Sequence, residues 1–188
     1  MVISIRDLIT IVHGLGFGVL FMLAFSGAIG VIYATAATGE LWPSSSTQHK
    51  MFRFYLISMA LLSWLAVLSG TYIIYPWYRA VPPAGTTDLS AYPKQLLLSD
   101  PMTAGWHDFG MEWKEHVSWL APIAMTMVAF VFIKYGPQLA RHRHIHAAVL
   151  GFTAVAFLAT FVSGVFGALL NTHAPIKGGA EIILMGHP

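Results

Sequence analysis

The stretch LITIVHGLGFGVLFMLAFSGAIGVIYATA, residues 8–36, decides the fold. It carries no charged residue, and a single histidine, His13, lies near its start. An α-helix needs about 20 apolar residues to cross the hydrocarbon core of a bilayer. This stretch is longer than that, so it is expected to tilt or protrude. It also exceeds the roughly 7–15 apolar residues of a secretory signal, and is expected to stay as a first helix.

Three more segments pass the same test: Phe54–Tyr75, Val117–Tyr135 and Ala147–Leu170. None alternates with the period of two that a membrane barrel requires. The chain reads as all-α, an integral membrane antiparallel four-helix bundle in a single domain over residues 1–188. Composition agrees, with 56% hydrophobic and only 10% charged residues, against roughly 25% charged in soluble domains. A formal net charge of +2 without any basic run excludes nucleic acid as a partner. The absence of cysteine excludes disulfides, thiolate metal sites, iron–sulfur clusters and covalently attached haem. Chemistry is left to the nine histidines, the nine methionines, the carboxylates and any cofactor held without a covalent bond.

Four spans put both termini on one side of the membrane, side A, together with the long connection 76–116. Short connections of about residues 37–53 and 136–146 fall on side B. Lysine and arginine divide evenly: Arg6, Arg79, Lys94, Lys114 and Lys177 on A, and Lys50, Arg53, Lys134, Arg141 and Arg143 on B. The B set is confined to short loops close to the helix ends, where the positive-inside rule counts most. Every acid except Glu40 lies on A. Side B is therefore expected in the cytoplasm of a bacterial inner membrane, with the termini and the 76–116 loop outside.

Within that loop, YIIYPWYRAVPPAG is an aromatic belt followed by prolines that end the second helix. YPKQLLLSDP suits a surface turn or a short interfacial helix. Asp100-Pro101 has the form of a helix start, with Asp as N-cap and Pro at the first position. The following GWHDFGMEWKEHVSWLAP, residues 105–122, would then run as helix into the third span. Its three tryptophans suit a lipid–water interface.

Histidines recur at the span entrances. His13 and His116 lie toward side A on spans one and three; His49 and His146 lie toward side B on spans two and four. In an antiparallel bundle these are the two diagonal pairs, and such bundles build cofactor sites from inward side chains. His13 with His116 could clamp one haem iron, and His49 with His146 a second. His13 stands out, because it lies about 9 Å along the helix beyond Arg6-Asp7, a depth at which an ionisable residue should face the interior. At 100° per residue, Gly16 and Gly27 fall within about 60° of His13 and would leave room for a flat macrocycle. Close helix packing accounts for the same glycines.

Other residues compete for these roles. His173, also on side A, could replace His116 as partner to His13. His107 with Met111 and Glu112 with His116 are i,i+4 pairs, suited to copper and to zinc or iron respectively.

With these placements the chain resembles the four-helix membrane cytochromes b over about Leu8 to Leu170. The likeness is carried by His13, His116, His49 and His146. It implies one or two b-type hemes, and electron transfer between quinone or quinol and a partner redox protein, such as a periplasmic cytochrome. It also implies work within a larger membrane complex beside other subunits. In many such families one helix carries two histidines and serves both hemes; here each span contributes one. Glu112 and Glu115 would line a route for protons released from quinol. The competing expectation is a structural or anchoring membrane subunit that holds no cofactor.

Overall fold

The computed structural model of the chain describes residues 2–38, 45–139 and 142–183. Glu40 and Arg141, counted above toward side B, lie outside the described residues, as does the side chain of Arg143. Four helices are long and apolar enough to cross a membrane: Ile5–Ala34, Ser46–Tyr78, Pro101–Gly136 and His144–His173. Each contains the expected apolar segment and extends beyond it at both ends, the helix of the first span running on to Thr38.

The ends follow from capping chemistry. Ser4 begins the first span with a capping box: its hydroxyl accepts the Asp7 N–H at 3.1 Å, and Asp7 accepts the Ser4 N–H at 3.1 Å. Ser45 and Gln48 repeat the motif at the second span. Asp100 caps the third as expected, accepting the Met102 N–H at 2.8 Å with Pro101 at the first helical position. The YPKQLLLSDP segment contains a short helix, Pro93–Leu98. In the third span the helix tightens at residues 117–119, and the Ala121 N–H reaches back only to the Ser118 carbonyl. Pro122 explains this, since it has no N–H to give the Ser118 carbonyl in a regular turn.

The spans pack in sequence around a ring: first on second, second on third, third on fourth, and fourth on first. Spans one and three are thus diagonal, as are two and four. A two-stranded antiparallel sheet joins the ends of the chain, with β1 (Val2–Ser4) paired to β2 (Glu181–Ile183) and Val2 opposite Ile183. Both termini therefore share one face of the bundle, called here the termini face. Gly178 and Gly179, both at φ +94°, turn the chain toward β2 beside Arg6. Arg6 donates to the Lys177 carbonyl at 2.9 Å and lies over Trp77.

Two apolar clusters fill the interior. The larger joins Phe21, Ala28, Phe52, Leu56, Met125, Phe132 and Ala156, and lies in the middle and far half of the bundle. The smaller joins Tyr78, Leu97, Met111, Leu170 and Ala174 near the termini face. Between them, on spans two, three and four alike, lies a short polar interval: Ser69; Lys114 and Ser118; Ser163 and Gly167. His13 occupies the corresponding level of span one. Outward positions such as Leu15, Leu23, Phe54, Leu61, Tyr72 and Leu158 are exposed and apolar, as lipid contact requires.

Candidate functional site

His13 belongs to a π-helical segment, Val12–Val19, whose three glycines tolerate the wider turn. Gly70 opens a second π-helical segment, Gly70–Ile74, on the neighbouring span. Such wide turns often mark functional sites. The two meet at the imidazole: a Cβ on Gly70 would lie 3.0 Å from His13 Cε1. His13 Nδ1 is 2.9 Å from Ser69 Oγ.

That hydrogen bond orients the ring. Ser69 has one hydroxyl proton and directs it to the backbone, to Leu65 O at 2.6 Å or Ala66 O at 3.2 Å. With that proton on the backbone, Ser69 accepts from His13, and in that tautomer Nδ1 carries the proton and Nε2 presents a lone pair. An imidazole oriented through its Nδ1–H, with Nε2 bare, is the arrangement of a metal-ligating or proton-accepting histidine.

Lys114 faces the same interior from the third span. Its stem is half-buried and its ammonium reaches so close to the fourth span that a Cβ on Gly167 would lie 2.9 Å from Nζ. It lies within electrostatic reach of His13. Among the described residues no carboxylate comes within ion-pair distance of it. One turn further in, Ser118 Oγ and Ser163 Oγ are 2.9 Å apart.

The orientation of Lys114 explains where His116 goes. Residues two apart on a helix point about 200° away from each other. With Met111, Lys114 and Ser118 turned inward, His116 must turn outward. Its side chain is 72% exposed, and Nδ1 donates to the Glu112 carbonyl at 2.9 Å, with the Glu112 carboxylate at 3.5 Å. Among the described residues no hydrogen bond or ring contact joins His116 to His13.

The other candidate residues are dispersed. His146 is buried with Nδ1 unpartnered, while His49 is half-buried with its ring 6.3 Å from Phe132. No contact between these two histidines is found among the described residues. Gly16 faces only Val12 of its own helix. Gly27 packs against Tyr55, whose hydroxyl donates to the Ala24 carbonyl; a Cβ there would lie 2.7 Å from that hydroxyl. Gly27 also borders an open cavity of about 350 Å³ lined by Val31, Gln48, Met51, Phe52 and Tyr55, away from His13. The π-helical segment turns through less than 100° per residue, which shifts the phase between His13 and Gly27.

Near the termini face a second polar set surrounds the mouth of the bundle. Arg79 donates to the Tyr75 hydroxyl at 3.0 Å, and Glu115 lies beside the same hydroxyl. Tyr78 Oη is 2.8 Å from His107 Nδ1. His173 stacks on Trp106 at 5.8 Å, and the Glu112 carboxylate is exposed. Hence His107 is taken by Tyr78, and His173 by Trp106. Among the described residues no group of three or more His, Asp or Glu side chains converges on a metal position.

Lys114, Ser69 and the Tyr75–Tyr78 pair have no place in the site expected from the sequence. The signal for Lys114 was its spacing: it lies three residues after Met111 and four before Ser118, on the inward stripe of the third span. No family model, curated protein or solved structure matches the chain.

Proposed function

We propose that the protein is a quinone-linked electron-transfer subunit of a membrane complex, with b-type haem as its electron carrier. The observation that carries this reading is His13: an imidazole inside a membrane-spanning bundle, held through Nδ1 by Ser69, with no side-chain partner at Nε2 among the described residues. Polar side chains at that depth are expensive and are kept for a purpose. A neutral imidazole is a suitable axial donor for haem, and His13 Nε2 would hold the iron. When bound, haem supplies a one-electron relay.

The remaining residues act on position and protons. Ser69 holds the ring plane of His13, and Gly70 leaves the ring its space. Quinol oxidation releases two electrons and two protons, and the protons need an exit. Glu115 beside Tyr75, with Glu112 beyond it at the surface, supports a path toward the termini face. His116, turned outward, does not pair with His13 in this arrangement, so the proposal places the first ligand on His13 alone. The inner pair, His49 and His146, remains the candidate for a second haem.

The test is the dithionite-reduced minus oxidised visible spectrum of the purified protein, with haem quantified as its pyridine adduct. A reduced α-band of b-type haem, lost in His13→Ala, is the expected result. A colourless protein, purified from cells supplied with haem, would overturn the reading in favour of an anchoring subunit without a cofactor.

A further inference from the structure

We propose that the seam between the third and fourth spans binds the headgroup of a quinol, with Lys114 Nζ donating to one ring oxygen and Ser118 Oγ accepting the O–H at the other. The proposal rests on the reading of the chain as a quinone-linked subunit and names the site where the quinol is held.

The first support is a cation with no carboxylate partner among the described residues. Lys114 extends its ammonium into the bundle, yet the nearby carboxylates are committed elsewhere: Glu112 to His116 and Glu115 to Tyr75. An ammonium in a low-dielectric interior lacks a partner there unless a ligand oxygen supplies one. Gly167 gives that ammonium its room, since a Cβ at this position would lie 2.9 Å from Nζ and the lysine tip would have to shift.

The second support is the hydroxyl pair one turn further in. Ser163 gives its proton to the Ala159 carbonyl at 2.6 Å. Ser118 is therefore the donor in the 2.9 Å contact with Ser163, and its remaining lone pairs are available to accept. On the fourth span Ser163 and Gly167 are four residues apart, a rise of about 6 Å. Lys114 and Ser118 thus place their polar groups on successive turns of the seam. One end of the seam offers a donor and the other an acceptor, which matches a ring oxygen at one end and a hydroxyl proton at the other.

The third support is a buried donor in the same seam. Trp113 Nε1 is buried without a hydrogen-bond partner, and its ring lies 6.2 Å from Phe166 of the fourth span. Phe166 and Trp113 pack on each other and on Phe109, and border the seam with aromatic surface. Gly164, next to Ser163, is exposed, with nothing within 4 Å of the space its side chain would fill, and leaves an edge open toward lipid.

The test measures binding of decylbenzoquinone and its quinol to the full chain in detergent by quenching of tryptophan fluorescence. Wild type, Lys114→Met, Ser118→Ala and Gly167→Ala are compared, with thermal melting as the folding control. Saturable binding is expected, weakened about tenfold or more by Lys114→Met, the loss of one charge-assisted hydrogen bond. Gly167→Ala should weaken it comparably although it removes no polar group, and so serves if Lys114→Met does not fold. Ser118→Ala should weaken quinol more than quinone. Unchanged affinity in both Lys114→Met and Gly167→Ala, or no saturable binding to wild type, would overturn the site. Haem content is read separately on each sample. A colourless protein with Lys114-dependent quinone binding keeps the site and removes the haem reading. A haem-containing protein with Lys114-independent binding does the reverse. Loss of haem in Lys114→Met at unchanged quinone affinity would assign the ammonium to a haem carboxylate and overturn the proposal.

Discussion

Replacing Lys114 with Met should stabilise the ligand-free protein. The substitution keeps the length of the stem and removes only the ammonium, which has no carboxylate partner among the described residues. A lysine at the centre of a membrane helix costs about 2.5–3.5 kcal/mol on insertion scales. Lys114 lies nearer the termini face and its stem is half-buried, so the gain is expected to be smaller, about 1–2 kcal/mol. For chains of 150–250 residues, each kcal/mol shifts the midpoint by about 2–4 °C, on the scale of soluble domains. The assay is thermal unfolding in detergent without quinone, followed by circular dichroism. Lys114→Ala serves as the contrast, because it discards the stem as well as the charge and loses its packing. A loss of about 1 kcal/mol or more in Lys114→Met would refute the reasoning, since only a lysine with a partner in the native protein destabilises so much when neutralised. Added decylbenzoquinone should raise the midpoint of wild type more than that of the variant.

Four other substitutions test the remaining contacts. Gly70→Ala places a Cβ 3.0 Å from His13 Cε1; overpacking of this kind costs about 1–3 kcal/mol, and the displaced ring should lose its Ser69 bond, measured as lower haem retention on dilution. Gly27→Ala places a Cβ 2.7 Å from the Tyr55 hydroxyl, so the melting point should fall, and Tyr55→Phe in the same chain should restore most of it. Asp100→Ala removes the N-cap of the third span and should cost about 0.5–2 kcal/mol, whereas Asp100→Ser should be nearly neutral in the same melt. His13→Ala should abolish the reduced α-band while His116→Ala keeps it; equal loss in both would show that His116 turns inward when haem is bound.

The fold was legible because membrane spans are written in long apolar runs, and Leu8–Ala36 needs no tertiary context to be read. The caps at Ser4 and Asp100 are local chemistry and equally plain, although only Asp100 was singled out. The site was legible only in part. The depth of His13 was enough to mark it as an interior residue. The orientation of His116 depends on which face of the third span turns inward, and that is set by packing of Met111, Lys114 and Ser118 against the fourth span. Glycine phase failed for a related reason: counting 100° per residue from His13 to Gly27 crosses a π-helical segment, and the wider turn moves Gly27 onto Tyr55. Lys114 was counted only as a charge that orients the chain. A lysine among Glu112, Glu115 and Asp108 reads as one of a solvated set until the helix face is known.

The polar interval gains its meaning from what encloses it. Apolar clusters lie on either side of it, Phe52, Leu56 and Met125 toward the centre and Tyr78, Leu97 and Met111 toward the termini face. Had the chain needed only to anchor a partner, Leu or Phe at Ser69, Lys114, Ser118 and Ser163 would join the two clusters into one continuous core. Each polar residue instead gives up packing, and Lys114 gives up more by carrying a charge that has no carboxylate partner among the described residues. Stability sacrificed at one level of a membrane bundle, on all four spans at once, is the pattern of a site that holds a polar group inside the membrane. Filling that level with apolar side chains should therefore raise the melting point and remove ligand binding together. A quadruple variant that gained stability and still bound decylbenzoquinone would show that the polar interval serves neither the quinol nor its protons.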